Sequence, residues 1–453
     1  MRVVGVVHQF PPDFETGTEI LCLRTMQALA QRGHQVQVIS AEHRRGRGSP
    51  VRRAIVDGVE VVRIPTRGKP RLSIAARLGD EFTRDALVQR LIDIGRQFRP
   101  EIVHAFHVFH FGIPAITAIS QLAPLLVTAT DFALVCPYAT CALPDGTMCG
   151  GPALRGDNCV DHHLTRPAHN GLARRQGPMA LLEQSAAVAS RLANLDSTED
   201  IRSAVLARLA AGRDLAHAAH RVLATSGRIA SMLAAIGIPG EKITVTPHQA
   251  PPLAVPSRAP GEPMRIGFLG VLTRLKGAHV LIDAARRIPA GRTFELIVRG
   301  DQTADPTYVA ELNKMAAEDR RIRIVDKVPH ARFAEALGDI DVLVVPSTWA
   351  ENSPLVLLSA LAAGRFVVVS DVPGLVEAVD DPHSGRIFPV GDSEALAKVL
   401  VDILTDPAPV RRARARSQGF DKFAGYIDTL EKLYRDATAR NRTAGRLSAG
   451  VIA

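Results

Sequence analysis

Residues 265–287 read RIGFLGVLTRLKGAHVLIDAARR, and this stretch indicates the fold class. Its first five residues form a mostly apolar run, a loop with two glycines follows, and the remainder is rich in alanine and leucine at helical spacing. Strand, glycine-containing loop and helix in this order are typical of a βα unit in a parallel sheet. The loop cations Arg274 and Lys276, beside the free amides of a helix start, favour phosphate binding; two solvated surface cations are the alternative.

The same alternation of short β-branched runs and longer Ala/Leu-rich stretches extends along the whole chain. It predicts an α/β protein with two doubly wound, Rossmann-like sheets, each covered by helices. Because open parallel sheets bind ligands at the carboxyl ends of their strands, we expect the two domains to face each other across a cleft. Strands are predicted at 3–7, 35–40, 59–64, 101–106, 124–130, 221–225 and 242–246 in the first half, and at 265–269, 294–299, 322–327, 342–346 and 366–370 in the second.

A chain of 453 residues is too long for one hydrophobic core, which predicts two domains. Six prolines in residues 247–263 indicate the linker, because neither a helix nor a central strand tolerates this composition. Two helices are predicted between 176 and 217. We expect domains over 1–250 and 264–418, a linker over 251–263, a helix over 419–440 that packs back on the first domain, and a disordered tail over 441–453.

The formal net charge is +9, from 55 basic and 46 acidic residues, and it favours phosphates or an anionic membrane surface as partners. Nucleic acid is not expected, because the spacings of RNP, zinc-finger and helix-turn-helix motifs are missing. No uncharged apolar run reaches about 18 residues, and the run after Met1 is too short for a signal peptide. We expect a cytoplasmic protein with peripheral contact to the inner face of the cytoplasmic membrane.

A second informative stretch, residues 345–364, reads VPSTWAENSPLVLLSALAAG. We interpret it as a strand end, a polar turn, and a helix with Ser353 as N-cap, Pro354 at the first helical position and Gly364 after its end. At the carboxyl end of a strand, a carboxylate and an amide can bind vicinal hydroxyls of a sugar. The groups predicted to face a ligand are Glu351, Asn352 and the backbone amides of Leu355 and Val356.

This stretch resembles the E-x7-E region of the retaining GT-B transferases known as glycosyltransferase group 1. The resemblance extends over nearly the whole chain through shorter motifs in both halves. It implies the GT-B architecture, with an acceptor-side domain first and a nucleotide-sugar-binding domain second. The matching motifs are Lys276-Gly277, 374–377 (GLVE) and 391–392 (GD) in the second half, and 16–19 (TGTE), 32–34 (RGH), 99–104 (RPEIVH) and a late helix around 426–434.

The resemblance implies transfer of a sugar, with retained anomeric configuration, from a nucleotide diphosphate sugar to a glycan or lipid-linked acceptor, as in cell-surface polysaccharide biosynthesis. Such a transfer requires no cofactor, because placed cations and amides can stabilise the leaving group. Lys276 then neutralises the diphosphate, Glu351 holds the donor sugar, and Asp131 is the third catalytic residue. The predicted donor-binding residues are Gly17, Arg274, Asn352, Ser353, Pro354, Leu355, Val356 and Ser359.

Four changes in the predicted cleft depart from the family pattern. Ser359 replaces the second glutamate, which predicts about 10- to 150-fold weaker nucleotide binding through the loss of a charge-assisted hydrogen bond. Val271 replaces an arginine, with Arg274 as the candidate substitute. Thr130 replaces a histidine, and Arg365-Phe366 replaces a small residue and a proline. Two hypotheses follow: an active transferase of a divergent branch, or a non-catalytic GT-B protein that binds a glycan, a nucleotide or a partner transferase.

Four of the five cysteines lie close together in the first half of the chain. In a cytoplasmic protein such clustering favours metal or redox chemistry over disulfides, although a paired C-x2-C is missing. We hypothesise a structural zinc or iron–sulfur site formed by Cys136, Cys149, Cys159 and His162. The alternative is a loop of buried thiols that also includes Cys141.

Two histidines follow the predicted strand at 101–106, in the run HAFHVFH that ends at position 110. Side chains at the carboxyl end of a strand are placed to face the cleft. His107 and His110 are therefore candidates for contact with the acceptor, and the alternative is that both are solvated loop residues.

Overall fold

The computed structural model forms two β-sheets, one from each half of the chain, with helices on both faces. Its backbone is described for residues 1–43, 50–66, 74–79, 85–137, 139–143, 147–153, 156–165, 197–255, 263–379, 383–416 and 422–450. All twelve predicted strands are present within these ranges. Residues 176–196 of the predicted helical region and residues 256–262 of the predicted linker lie outside them.

The first sheet consists of β1 (Arg2–Val7), β2 (Gln35–His43), β3 (Arg52–Val56), β4 (Val59–Thr66), β5 (Ile102–Ala105), β6 (Leu125–Ala129), β7 (Arg221–Ala224) and β8 (Ile243–Val245). Their order is β3-β4-β2-β1-β5-β6-β7-β8, and every pair is parallel except β3 with β4. The winding of the chain reverses between β1 and β5. A ligand crevice is expected at that point, outside the carboxyl ends of these two strands.

The second sheet consists of β9 (Met264–Leu269), β10 (Phe294–Gly300), β11 (Ile322–Asp326), β12 (Val342–Val345), β13 (Phe366–Ser370) and β14 (Gly385–Phe388). Their order is β11-β10-β9-β12-β13-β14, and all pairs are parallel. This is the Rossmann order, in which the winding reverses between β9 and β12. The second crevice is therefore expected outside the carboxyl ends of β9 and β12.

Two strands, β3 and β14, were not predicted from the sequence. Both lie at the edge of a sheet, and β3 exposes four of its five residues while β14 exposes its two middle residues. An edge strand with half or more of its residues exposed lacks the continuous apolar run that reveals a central parallel strand. The apolar pattern therefore identified the ten interior strands and the edge strands β8 and β11, and missed β3 and β14.

Helices cover both faces of each sheet. None of the helices in the described part of the chain is long and apolar enough to cross a bilayer. In the first half they are α1 (Gly17–Gln31), α2 (Ile74–Gly79), α3 (Asp85–Phe98), α4 (Ile113–Ala118), α5 (Asp157–Thr165), α6 (Thr198–Ala218) and α7 (Gly227–Ala235). In the second half they are α8 (Ala278–Arg287), α9 (Pro306–Ala316), α10 (Phe333–Gly338), α11 (Leu355–Ala362), α12 (Pro373–Val376), α13 (Ser393–Thr405), α14 (Ala408–Arg416) and α15 (Lys422–Gly450).

The last helix, α15, returns from the second domain and packs on the first sheet. Its buried residues Phe423, Leu430 and Tyr434 share a hydrophobic cluster with Leu21 of α1 and Ile102 of β5. Removing these apolar side chains from water is the main favourable contribution to such packing. The C-terminal segment therefore completes the core of the N-terminal domain.

The prediction of a disordered tail over 441–453 is wrong for its first ten residues, because α15 continues as a helix to Gly450. The packed part of the helix supplies the costly nucleus, and each further residue then adds one hydrogen bond. Apolar periodicity, on which the prediction was based, reports which residues are buried and not which residues are helical.

A buried hydrogen-bonded chain joins α15 to the middle of the first sheet. His104 on β5 is fully buried, with Nδ1 2.7 Å from the Tyr434 hydroxyl oxygen and Nε2 2.6 Å from Thr128 Oγ1. Burial lowers the pKa of His104 to about 3, so the ring is neutral at neutral pH. A neutral imidazole has one donor and one acceptor nitrogen, and both are used here.

We expect Tyr434→Phe to lower the free energy of unfolding by about 1 to 3 kcal/mol, because it leaves a nitrogen of His104 buried without a partner. Chemical denaturation followed by circular dichroism measures this change. Tyr426→Phe on the same helix is the matched control, because the Tyr426 hydroxyl is buried beside Thr25 without a well-formed hydrogen bond among the described residues. Equal effects of the two substitutions would contradict the role assigned to this hydrogen bond.

Candidate active site

Lys276 and Glu351 lie on the loops that follow β9 and β12, where the winding of the second sheet reverses. Lys276 Nζ is 2.6 Å from Glu351 Oε1. Ser347 Oγ and Trp349 Nε1 donate to the same oxygen at 2.7 and 2.9 Å. The side chain of Glu351 is 6% exposed and that of Lys276 is 28% exposed. The Glu351 carboxylate is therefore buried among its hydrogen-bond donors, while a ligand can still reach the Lys276 ammonium group.

Close backbone packing positions this ion pair, and two glycines make it possible. Gly277 has a φ of 72°, and a Cβ on it would lie 1.8 Å from the carbonyl oxygen of Pro346. A Cβ on Gly374 would lie 2.0 Å from the carbonyl oxygen of Glu351. Any side chain at either position would push the loops apart, since such distances are far below van der Waals contact.

The helix after Glu351 begins one residue later than predicted. Pro354 is the N-cap residue of α11 and Leu355 is its first residue, so the assignment of Ser353 as N-cap and Pro354 as first helical residue is wrong. The amides of Leu355 and Val356 still lie in the first turn, where a helix cannot satisfy its own N–H groups.

On the first domain, the loops after β1, β5 and β6 bring together three histidines and two carboxylates. His107 Nε2 lies 2.9 Å from Asp131 Oδ2, and the His8 ring centroid is 4.1 Å from that of His107 and 5.8 Å from that of His110. His8 Nε2 lies 3.1 Å from Glu19 Oε1. Burial, together with the two neighbouring histidines, lowers the pKa of His8 well below its usual value. His8 is therefore neutral at neutral pH.

The hydrogen bonds assign the proton of His107. Its Nδ1 accepts the backbone N–H of Phe109 at 3.0 Å, so a neutral ring carries its proton on Nε2 and donates it to Asp131. The other carboxylate oxygen of Asp131 accepts the amide of Ala133 at 2.8 Å. Sequence analysis missed His8, although it directly follows a strand, the same signal that identified His107.

The loops of the two domains meet at Thr130. Asn352 Nδ2 donates to the Thr130 carbonyl oxygen at 3.3 Å, and the Thr18 hydroxyl donates to Thr130 Oγ1 at 2.9 Å. Thr130 thereby links the residue after Glu351 with the start of α1. Asn352 Oδ1 is buried without a partner among the described residues. No heavy atom lies within 4 Å of a Cβ built on Gly17, so the start of α1 faces open space.

Ser359 contacts an arginine of the other domain. Arg24 Nη1 donates to Ser359 Oγ at 3.3 Å, and Arg24 is 8% exposed. Burial lowers the pKa of Arg24 to about 10. A charged guanidinium of the first domain therefore contacts the position at which the family pattern has a carboxylate of the second domain. Sequence analysis missed Arg24, although a charge within the mostly apolar run 20–26 of α1 was a usable signal.

Two further positions were predicted to face the ligand, Arg274 and Arg365-Phe366. The Arg274 guanidinium pairs with Glu311 and its Cζ lies 5.2 Å from the Tyr308 ring centroid, so its substitution for the arginine replaced by Val271 stays a prediction. Placing Arg365-Phe366 in the cleft was wrong. Phe366 begins β13 and therefore lies at the amino edge of the sheet, opposite the edge that carries Glu351.

The four clustered cysteines line one cavity in the loop between β6 and α5, together with His162. None of the five cysteines of the chain, all of which are described, forms a disulfide. Burial raises the pKa of Cys159 to about 12. As the side chains stand, no three potential ligands in the described residues are arranged to hold a metal ion.

Similar sequences come from several glycosyltransferases. The amylovoran biosynthesis glycosyltransferase AmsK of Erwinia amylovora is 30% identical over 218 residues, which are 45% of this chain and 53% of that protein. The D-inositol 3-phosphate glycosyltransferase of Stackebrandtia nassauensis is 33% identical over 235 residues, 46% of this chain and 52% of that protein. The chain thus spans about half the length of these relatives. The glycogen synthase of Mycobacterium tuberculosis is 25% identical over 433 residues, 92% of this chain and 90% of that protein.

Solved structures resemble the whole chain. Anabaena HepE in complex with UDP has a TM-score of 0.62 at 16% identity and covers 96% of this chain and 100% of its own. Sucrose-phosphate synthase from Thermosynechococcus elongatus has a TM-score of 0.65 at 18% identity and covers 97% and 99%. At such low identity the likeness establishes the fold, which is the two-domain GT-B fold that the sequence predicted.

Two family models match the chain in succession. The model described as glycosyl transferase 4-like domain matches residues 16–248, more than half of the chain, and the model described as glycosyl transferases group 1 matches residues 263–406. The first match contains Asp131, and the second contains Lys276 and Glu351. The chain therefore belongs to the group 1 glycosyltransferase family, with a glycosyl transferase 4-like first domain, and has the GT-B fold.

Proposed function

We propose that the protein transfers a sugar, with retention of configuration, from a nucleotide diphosphate sugar to a glycan or lipid-linked acceptor in the biosynthesis of a cell-surface polysaccharide. The observation that carries this proposal is the contact of Lys276 with Glu351 at the reversal point of the second sheet. Two relatives are named for the biosynthesis of amylovoran and colanic acid. Structures of similar fold hold UDP or UDP-glucose, which supports a nucleotide sugar as the donor.

In the proposed reaction, the bond between the anomeric carbon and the β-phosphate oxygen breaks, and the acceptor oxygen bonds to that carbon. The proton of the acceptor hydroxyl leaves with the nucleoside diphosphate. Negative charge grows on the departing diphosphate, and Lys276 and the first-turn amides of Leu355 and Val356 are the groups that stabilise it. This stabilisation needs no cofactor.

Glu351 is the proposed sugar-binding carboxylate. Three donors, from Lys276, Ser347 and Trp349, converge on its Oε1. They hold the carboxylate in one orientation, so that Oε2 remains to accept sugar hydroxyls. The buried Oδ1 of Asn352, which lacks a partner among the described residues, is a second acceptor beside it. A neutral sugar rich in hydroxyl donors fits this pair.

Asp131 is the proposed contact for the attacking hydroxyl of the acceptor. Its side chain is 28% exposed, whereas that of His107 is 4% exposed. His107 donates to Asp131 and thus orients the carboxylate, which lets the carboxylate accept a hydrogen bond from an acceptor hydroxyl. The net charge of +9 favours a lipid-linked acceptor at the inner membrane face, where anionic headgroups attract basic proteins.

Arg24 is the proposed partner of the donor nucleoside. The family pattern places an acceptor-only glutamate at position 359, whereas this chain presents the donor-only guanidinium of Arg24 above Ser359. Ribose hydroxyls can donate or accept, so either polarity can bind them. Arg24 belongs to the first domain, and donor binding through it would tie the two domains together.

We expect Glu351→Gln and Lys276→Ala each to lower the rate of sugar transfer by about 100-fold or more, because each removes a charge that acts on the reacting groups. Release of nucleoside diphosphate from a panel of nucleotide sugars, with acceptor extracts, measures the rate. Glu351→Gln is the cleaner variant, since its side-chain oxygen can still accept from Ser347 and Trp349. Retained wild-type turnover in either variant would contradict the assignment of this cleft.

The matched control for these variants is Lys314→Ala, which removes an exposed lysine of α9 in the same domain. It should transfer sugar at the wild-type rate. Circular dichroism and thermal unfolding of all three variants separate lost chemistry from lost structure.

We expect Arg24→Ala to weaken binding of the preferred nucleoside diphosphate by about 10- to 150-fold, the loss of hydrogen bonds to a charged group. Ser359→Glu alone should not tighten binding, because Arg24 would pair with the new carboxylate. The double variant with both changes should recover part of the affinity, since the glutamate is then free to bind ribose. Isothermal titration calorimetry measures all three dissociation constants.

Arg90→Ala is the control for Arg24→Ala, because Arg90 is an exposed arginine on α3 of the same domain. Its dissociation constant should equal that of the wild type. Unchanged affinity in Arg24→Ala, with transfer intact, would remove Arg24 from the donor site and leave the role of Lys276 and Glu351 untouched.

A further inference from the structure

We propose that the loop between β6 and α5 binds one structural zinc ion through the thiolates of Cys136, Cys141, Cys149 and Cys159. All four side chains line a single cavity. Three of them are almost completely buried, Cys141 with 1% exposure, Cys149 with 9% and Cys159 with 8%. Four cysteine thiolates are one of the ligand sets of the closed tetrahedral site that zinc adopts in structural roles.

The four thiols reach the cavity from separate segments of the loop. The amide of Cys136 donates to the Phe132 carbonyl oxygen at 2.7 Å, which ties it to the end of β6. The amide of Cys149 donates to the Cys141 carbonyl oxygen at 2.7 Å, so these two cysteines face each other across a short antiparallel turn. Cys159 comes from α5. A metal ion here would join three segments of the loop through their side chains.

Zinc is the proposed ion because four cysteine thiolates form a closed structural zinc site, in which zinc–sulfur bonds of about 2.3 Å place the sulfurs about 3.8 Å apart. An iron–sulfur cluster is also held by cysteine thiolates and is the competing occupant.

The surroundings suit the negative charge of a tetrathiolate site. The Gly151 amide donates to Cys149 Sγ at 3.4 Å, and a thiolate accepts such a bond far better than a thiol does. Arg228 interacts electrostatically with Cys141 and donates to the Cys149 carbonyl oxygen at 3.1 Å. The Nε of Arg228 is buried without a partner among the described residues. A zinc ion with four thiolates carries two negative charges, which this arginine would partly offset.

The backbone of the loop is held in an unusual conformation. Ala139 and Cys141 have φ values of 58° and 44°, in the left-handed region that non-glycine residues rarely adopt. Such conformations persist where the surroundings impose them, and they concentrate at functional sites. Coordination of Cys141 to a metal shared with the neighbouring cysteines is a constraint of that kind.

The side chains line the cavity but do not yet converge on one point. Rotation about χ1 to another staggered position moves a cysteine sulfur by about 3 Å, and side-chain rotation is the movement that the proposal requires. His162 also lines the cavity and is the competing ligand. The four-thiolate set is preferred because Cys141 lines the cavity with only 1% exposure and its carbonyl oxygen accepts the Cys149 amide.

The site would act on the cleft through Asp131, which directly precedes this loop. The Phe132 carbonyl oxygen accepts amides of Val135 and Cys136, so the cysteine loop begins within one residue of the proposed acceptor contact. Zinc would therefore fix the wall of the cleft and take no part in the transfer itself.

The test is elemental analysis of the full-length protein, purified anaerobically without chelator. We expect about one zinc per chain and little iron. Cys141→Ser and Cys159→Ser should lose most of the metal, while Cys22→Ser, a buried cysteine of α1 outside the loop, should retain it. Cobalt substitution gives a second readout that does not depend on these variants, since tetrahedral cobalt thiolates have intense visible bands. His162→Ala should leave both the zinc content and the cobalt spectrum unchanged.

Three outcomes would overturn the proposal. A folded protein without metal, in which all five cysteines react with a thiol reagent, would show a loop of buried thiols. Iron with acid-labile sulfide would replace the zinc ion by a cluster. Loss of metal in His162→Ala but not in Cys141→Ser would replace the four-thiolate set by the one that omits Cys141.

Discussion

Parallel pairing of β9 with β10 on one side and β12 on the other is the constraint on which the candidate site depends. The chain must leave β9 toward one face of the sheet and β12 toward the other, so the two loops open a crevice between them. Lys276 and Glu351, on these loops, can then meet at 2.6 Å. Close contact of the loop backbones at Gly277 and Pro346 makes this geometry rigid, because there is no room for a side chain between them.

The same constraint operates in the first sheet, and it places His8 and His107 side by side after β1 and β5. The contacts that join the two halves of the chain are of two kinds, apolar and polar. The apolar face of α15 is part of the core of the first domain, and Ala350 and Leu355 of the second domain also pack against clusters of the first. Polar contacts across the cleft join Asn352 with Thr130, Arg24 with Ser359, the Gly227 amide with Glu377, and the His330 amide with Glu15. Each such bond is worth little in water, so a ligand can replace it without disturbing either core.

The carboxylates of the cleft have local partners, and two of the departures from the family pattern have polar neighbours. Glu351 is held by Lys276, and Asp131 is held by His107 from the neighbouring strand. Thr130, which replaces a histidine, serves as a link between the two domains instead. Ser359, which replaces a glutamate, lies under a buried guanidinium. Thr130 and Ser359 thus each have a polar neighbour from the other domain.

The sequence by itself determined the two doubly wound domains, twelve of the fourteen described strands, and the positions of Lys276, Glu351, Asp131 and His107, because strand ends and helix starts leave local signals in apolar pattern and composition. It could not reveal the edge strands β3 and β14, whose residues are largely exposed. Only the tertiary structure brought Arg24 to Ser359, His8 to His107 and Cys141 to the other cysteines, and removed Arg365-Phe366 from the cleft. Each of these depends on which strand is the neighbour of which, and on which edge of a sheet a residue lies. Those relations arise from pairing and packing between distant segments, and no local stretch of sequence contains them.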